Sequence, residues 1–197
     1  TGKTDLAKDL YSKLPSELIS VDSVQIYKGF DIGSNKPEKK ELQKYPHHLI
    51  DILEPNETFS VADFKKRSIE ILRKADNQSK IPIFVGGTMM YFYSLLDGLA
   101  ELPERDDLIR SELICDMEAF GLASLYERLK QLDPEAAQVI HPHDSQRIIR
   151  AIEVCLISND KFSKIKKHAV TENILKRKIL TFAIIPQDRQ QYKIELY

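Results

Sequence analysis

The sequence predicts an α/β fold in which a parallel sheet is flanked by helices and interrupted by a helical subdomain. Three observations carry that expectation. Short apolar runs alternate with segments of helical periodicity, the pattern of a parallel sheet covered on both faces. The runs end in acidic or glycine-rich turns that lead into the next helix. One stretch, 106–139, breaks the alternation with amphipathic helices and no strand. The expected division is therefore a core of 1–105 and 140–197 around an insertion of 106–139.

Taken in order, Leu6, Leu10 and Leu14, with Ala7, give one apolar helical face over 4–14, closed by Pro15. Residues 18–21 form a short buried strand that ends at Asp22 and Ser23, and 48–53 form a second. A helix over 60–77 carries Val61, Phe64, Ile69, Leu72 and Ala75 on its inner face. Ser60 and Asp63 resemble a capping box with Asp in place of Glu. A third strand, 81–85, runs into Gly86-Gly87-Thr88 and a helix through Leu96. The insertion splits at Gly121 and near Pro134. A fourth strand is expected at 178–185, with Asp188 capping a last helix.

The totals exclude some functions and leave others open. The chain has 197 residues, 42% hydrophobic and 30% charged, enough for one α/β domain with a sizeable core. No apolar run approaches the roughly 20 residues of a membrane helix. A net charge of −1 argues against an overall basic coat for nucleic acid. The charge is uneven, however. Lys161, Lys164, Lys166, Lys167, Lys176, Arg177 and Lys178 face only Glu172, which suits either a solvated linker or an RNA-facing patch. Cys115 and Cys155 lie far apart and are expected as buried, reduced thiols. Both ends look cut, so a targeting signal could have been lost.

Chemistry concentrates at the strand ends. Thr1-Gly2-Lys3-Thr4 is the tail of a GxxxxGK[ST] phosphate loop leading straight into a helix. There, backbone amides bind anionic oxygens, Lys3 supplies a mobile cation and the Thr4 hydroxyl can hold Mg²⁺. A plain capped helix start is the competing reading. The helix and strand behind it favour the phosphate reading, which would make the fold P-loop NTPase-like. Asp22, at a strand tip, can act as general base, bind Mg²⁺ through water, or cap the turn that follows. Gly86-Gly87-Thr88 offers amides and a hydroxyl as a second anion site, or is an ordinary strand-to-helix turn. His47 and His48 should face opposite sides of a strand, which disfavours a shared metal. Arg147 and Arg150 share a helix face.

Together, GKT, ISVDSVQIYKGFDIGSNKP, PHHLIDI, PIFVGGTMMYF, LDP and HPHDSQRIIRAIEV resemble the tRNA dimethylallyltransferase (tRNA isopentenyltransferase) family, in the family's order from Thr1 to about Val154. The resemblance implies that Thr1, Gly2, Lys3 and Thr4 hold the diphosphate of dimethylallyl diphosphate with Mg²⁺, Thr4 being the metal ligand. It implies as acceptor the N6 amine of the adenosine 3′-adjacent to the anticodon of tRNA. Asp22, Thr88 and Arg110 take catalytic roles by the same analogy, Asp22 receiving or orienting the N6 proton. Asp22, Ser23, Val24, Gln25, Thr88, Arg110, Gln146, Arg147, Ile148, Ile149 and Arg150 match tRNA-contact positions. Two departures stand out: Ser34-Asn35, where the family has Thr or Ser followed by Ala or Thr, and 155–161, which keeps only the outline of a Thr-Gly-Lys segment. The expected enzyme is cytoplasmic and monomeric, with no membrane partner. The alternatives are a P-loop small-molecule kinase, a prenyltransferase acting on free AMP or ADP, and a binding module without turnover.

Overall fold

The computed structural model describes residues 2–96, 98, 100, 102–167 and 178–185. They fall into two compact units, one of Thr1–Asp97 with Asn173–Tyr197, the other Gly98–Glu172.

The first unit is a small parallel sheet flanked by helices. Its elements are α1 (Lys3–Lys13), β1 (Ser16–Val21), α2 (Lys39–Lys44), β2 (His47–His48), α3 (Val61–Asn77), β3 (Ile81–Gly86) and α4 (Met89–Leu96). The strand order is β2-β1-β3, all parallel. Helix α1 stops where expected. Pro15 forces Leu14 into an extended conformation (φ −130°, ψ 144°), and the Leu14 amide closes the last turn on the Leu10 carbonyl at 2.9 Å. Central β1 is buried almost throughout. Ile19 and Val21 face α3 and α4, where Phe64 stacks on Tyr91 with centroids 4.2 Å apart. Burial first, then nearby negative charge, pushes the Tyr91 hydroxyl up to about 12. Leu18 and Ser20 turn to the opposite face by strand alternation. Helix α3 begins on the expected capping box: Ser60 accepts from the Asp63 amide at 3.2 Å, and Asp63 accepts from the Ser60 amide at 2.9 Å.

Two expected strands are not formed as read. The one at 48–53 pairs with β1 only through His47 and His48. Leu49 (φ 64°) and Asp51 (φ 54°) then adopt left-handed backbone, which no ladder accommodates. The chain bends to run beside 25–28 instead, with Ile52 N–H donating to Ile26 O at 2.9 Å and Lys28 N–H to Leu53 O at 2.9 Å. The stretch 178–185 joins no sheet. Its apolar pattern suits a strand, but a strand exists only through a backbone partner, and no described residue pairs with it. Leu180, Phe182 and Ile185 are largely exposed. The helix expected after Asp188 lies outside the described residues.

The second unit is helical: α5 (Asp107–Phe120), α6 (Leu122–Leu132), α7 (Pro134–Val139), α8 (Ser145–Ser158) and α9 (Phe162–Lys167). Gly121 (φ 81°) ends α5 and starts α6, as its position suggested. Leu113, Leu125, Leu129, Ile148 and Ile152 meet in one core. The unit is therefore wider than the strandless stretch 106–139, because α8 puts its apolar face into this core. Of the cysteines, Cys155 is buried, whereas Cys115 is exposed, against expectation, because it falls on the solvent side of α5.

Asp133, fully buried, ties two helices together. Its Oδ1 accepts from the Ala136 amide at 3.0 Å and from the Ser163 hydroxyl at 2.8 Å; Oδ2 accepts from the Ser163 amide at 2.7 Å. Burial alone would raise its pKa, but the bonds from Ser163 and Ala136 outweigh it and hold the group below the ordinary carboxylate value. A depressed carboxyl contributes stability that is complete above its unfolded pKa of about 3.9 and is lost as pH falls through the lower folded value. Asp133→Asn should thus lower the unfolding free energy at pH 6 by about 0.5–2 kcal/mol for each weakened cap. The gap from the native chain should narrow at pH 3 and below, as measured by urea unfolding at both pH values.

Candidate active site

The site grows from the ends of β1 and β3. At Gly86 the two strands come so close that a Cβ would sit 2.1 Å from the Val21 carbonyl oxygen. Only glycine permits this approach. Past that point the Gly87 and Thr88 amides both donate to Val21 O at 3.1 Å. Of the two readings open for this segment, the ordinary strand-to-helix turn is the one formed, with the Gly87 and Thr88 amides engaged at the strand end. The Thr88 hydroxyl oxygen accepts from the Ser23 amide at 3.1 Å, so β3 holds the turn that follows β1.

That turn carries Asp22. Its Oδ1 accepts from the Val24 amide at 2.8 Å and the Gln25 amide at 3.1 Å, the capping role weighed from the sequence. Neither bond uses Oδ2. The turn thus fixes the carboxylate through one oxygen and leaves the other for a ligand. Asp22 lines a cleft of about 140 Å³ together with Lys3 and Thr4. Gly2 (φ 76°, ψ 4°) is the N-cap of α1, and the Leu6 amide donates to its carbonyl at 3.1 Å. The first-turn amides of an α-helix have no intrahelical acceptor, and the helix dipole adds positive potential there. Thr1 lies outside the described residues.

The opposite wall is the loop 30–37, and it is anchored by two side chains whose role the sequence did not disclose. Gln25 accepts from the Ser20 hydroxyl at 3.2 Å and donates to Ser34 O and Asn35 O, both at 3.1 Å. Its amide is fully used inside the protein. The Lys36 side chain, 3% exposed, donates to Tyr27 O at 2.7 Å, Asp31 Oδ1 at 2.9 Å and Asp51 Oδ1 at 2.6 Å. Burial would lower its pKa, but the two carboxylates hold it above the ordinary lysine value. Ser34 and Asn35, which these bonds position, line the cleft.

The two histidines do separate. His47 lines the cleft, while His48 meets Glu17 at 2.9 Å. Because Tyr45 O can only accept, His47 Nδ1 carries the hydrogen of their 2.7 Å bond, leaving Nε2 an acceptor. Burial depresses the His47 pKa, so the ring stays neutral near pH 7. Ser23 and Val24 are exposed beside Asp22.

The remaining candidates belong to the helical unit. Ile148 and Ile149 are buried in its core, so their side chains face no ligand in this arrangement. Gln146 is exposed. Arg147 and Arg150 diverge despite their shared helix face. Arg147 is 75% exposed and, among the described residues, pairs with Asp144 at 3.3 Å, whereas Arg150 donates to Glu153 at 2.8 Å and Pro103 O at 2.7 Å. Arg110 also reaches Glu153, at 3.2 Å. Glu153 was missed in the sequence, yet a signal existed: a charged residue inside the apolar run of α8 needs a partner.

The strand contact at Gly86 makes a prediction with an internal control. Gly86→Ala should destabilise the protein by about 1–3 kcal/mol, because backbone must move to admit the methyl group. Gly87→Ala meets nothing within 4 Å and should be close to neutral. Thermal unfolding of both variants tests the contrast, and similar midpoints would remove the constraint.

The family model described as IPP transferase matches residues 25–196. Among solved structures, the full-length tRNA isopentenylpyrophosphate transferase of Bacillus halodurans is 37% identical, over 81% of this chain and 53% of that one, with a TM-score of 0.50. The tRNA delta(2)-isopentenylpyrophosphate transferase of Staphylococcus epidermidis is 34% identical over 85% and 56%, at a TM-score of 0.47. A eukaryotic dimethylallyltransferase acting on tRNA is 27% identical over 86% and 42%, at 0.68. The chain spans about half the length of the solved relatives it matches. With most of its length matched by the family model, the chain belongs to the IPP transferase family.

Proposed function

We propose that this chain transfers a dimethylallyl group from dimethylallyl diphosphate to N6 of the adenosine 3′-adjacent to the anticodon in tRNA, releasing diphosphate. The observation that carries the proposal is one cleft holding Lys3, Thr4 and an Asp22 carboxylate fixed through a single oxygen. The family and the names of the solved relatives, which act on tRNA, support it over a kinase or a free-nucleotide prenyltransferase.

In this reading the core is P-loop NTPase-like and the helical unit is an insertion into it. Lys3 and the α1 amides, with Gly2 and Thr1, neutralise the diphosphate as the bond from its oxygen to the allylic carbon breaks. The N6 lone pair forms the new C–N bond, and the amine proton passes to Asp22 Oδ2. Thr88 keeps the Asp22 turn in place through Ser23, with Ser23 and Val24 on the RNA side. Gln25 acts indirectly, by holding the far wall. Arg110, Gln146, Arg147 and Arg150 serve the anionic substrates from the helical unit.

A Mg²⁺ ion fits the donor set. The Thr4 hydroxyl lines the cleft that would take the diphosphate, and Mg²⁺ commonly takes one or two protein oxygens besides phosphate and water. When bound, it would offset charge on the departing diphosphate. The helices among the described residues include none long and apolar enough to cross a membrane, and the proposed enzyme is monomeric and cytoplasmic.

Labelled dimethylallyl diphosphate offered with tRNA and AMP in parallel tests the function: label should pass to tRNA and not to AMP. Lys3→Ala should weaken dimethylallyl diphosphate binding about tenfold or more, as expected for a lost charge-assisted bond. Unchanged affinity would count against the phosphate-loop assignment. Asp22→Asn keeps the turn acceptor but cannot take a proton. It should still bind both substrates and yet transfer the prenyl group about 10²–10⁴-fold more slowly in single-turnover assays. Near-normal turnover would return Asp22 to a turn cap alone.

A further inference from the structure

Glu153 lies on α8 among Ile149, Ile152 and Val154 and is fully buried. A carboxylate taken out of water costs several kcal/mol unless its oxygens are satisfied by charged donors. Here they are. Oε1 accepts from the Asp106 amide at 2.8 Å, and Oε2 accepts from Arg150 Nη1 at 2.8 Å and Arg110 Nε at 3.2 Å. Burial would push its pKa up, but Arg150 and the Asp106 amide outweigh it and keep the group ionised.

One arginine would neutralise one carboxylate, and this site holds two. The cluster keeps a net positive charge, and its donors are unevenly spent. Arg150 is held at two points, Glu153 and Pro103 O at 2.7 Å. Arg110 is held through Nε alone, and its two terminal nitrogens bond no group among the described residues. Both side chains remain about a quarter exposed, at 28% and 27%. Arg147, three residues before Arg150 on the same helix, has no such anchor and stands 75% in solvent. Two long cations are thus set by a buried acid in fixed positions, with guanidinium donors left over.

We propose that Glu153 is a positioning residue, holding Arg110 and Arg150 as a preset pair for phosphate oxygens. The inference rests on the assignment of these arginines to anionic substrate made above. Freely rotating arginines would lose side-chain entropy on capturing an anion; a pair already fixed does not. The anion class is shared by two sources, the diphosphate of the prenyl donor and the phosphates of the RNA.

The sign of the effect separates positioning from simple charge. Glu153→Gln raises the local positive charge, so a carboxylate that merely offset charge would, when removed, tighten anion binding. A positioning carboxylate would, when removed, loosen it. Glu153→Asp keeps the charge but withdraws the anchor by one methylene group. The full chain and its Glu153→Gln, Glu153→Asp and Arg110→Ala variants would be titrated with inorganic diphosphate and, separately, with an RNA stem-loop. Thermal unfolding would confirm that each variant is folded, and the Asp variant decides should the Gln variant fail to fold. The expected result is affinity about tenfold weaker in both Glu153 variants as well as in Arg110→Ala, for at least one probe. Loss with diphosphate alone assigns the pair to the prenyl donor, and loss with RNA alone assigns it to the acceptor. Unchanged or tighter binding in the Glu153 variants, with binding lost in Arg110→Ala, would overturn the positioning role and leave the substrate assignment standing. Undiminished binding of both probes in Arg110→Ala would overturn both.

Discussion

The close approach of β3 to β1 at Gly86 governs the arrangement of the candidate site. Parallel strands usually diverge once their ladder ends. Here the missing Cβ lets the chain after β3 stay against Val21, and that carbonyl collects the Gly87 and Thr88 amides. The hydroxyl of Thr88 is then in reach of Ser23, the residue beside Asp22. A carboxylate on a mobile turn would lose much of its value in proton transfer, because geometry dominates such steps. In the proposed mechanism the glycine therefore acts on Asp22 at one remove, through the Val21 carbonyl and the bond between Thr88 and Ser23.

A second theme is the use of buried charge for placement. In the first unit an ammonium gathers three oxygens from separate parts of the chain: Tyr27, Asp31 and Asp51. In the second, a carboxylate gathers two guanidiniums and an amide. Neither arrangement is an economical source of stability, since desolvating the ions consumes much of the attraction between them. Their effect is directional. Lysine has three donors and Lys36 satisfies them with three different acceptors, which determines the path of a loop containing no regular structure.

Much of this was legible in the sequence, and the gaps have physical causes. Helix ends marked by Pro15, Ser60, Gly121 and Pro134 are local chemistry, and local chemistry is visible in a short window. The buried strand at Leu18–Val21 and its terminal Asp22 were also visible, because an apolar run ending in a carboxylate is informative by itself. What stayed hidden depends on distant partners. Nothing in the sequence around Lys36 says that Asp51 will turn to meet it, nor that Leu49 and Asp51 will leave the extended conformation to do so. The segment 178–185 shows the converse: its pattern was right for a strand, but pairing is a property of two segments. Whether Gly86-Gly87-Thr88 was an anion site or an ordinary turn stayed open because sequence shows where amides occur and not which acceptor claims them. That α8 packs into the helical core was hidden for a similar reason, since the partner of an amphipathic helix is not written in its periodicity.

The parallel register has a consequence for the order in which the chain acquires structure. Ser16 pairs with Ile81 and Val21 with Gly86, so among the described strands the long partner of β1 arrives only after the whole of α2, β2 and α3 has been laid down. Closing a loop of that length is entropically slow, and the strand left waiting is the most deeply buried of the three. The helical unit is assembled from consecutive neighbours and can gather its core locally. During synthesis, then, Leu18-Ile19-Ser20-Val21 is the segment exposed longest to wrong partners, and the rate at which β3 arrives sets the length of that risk.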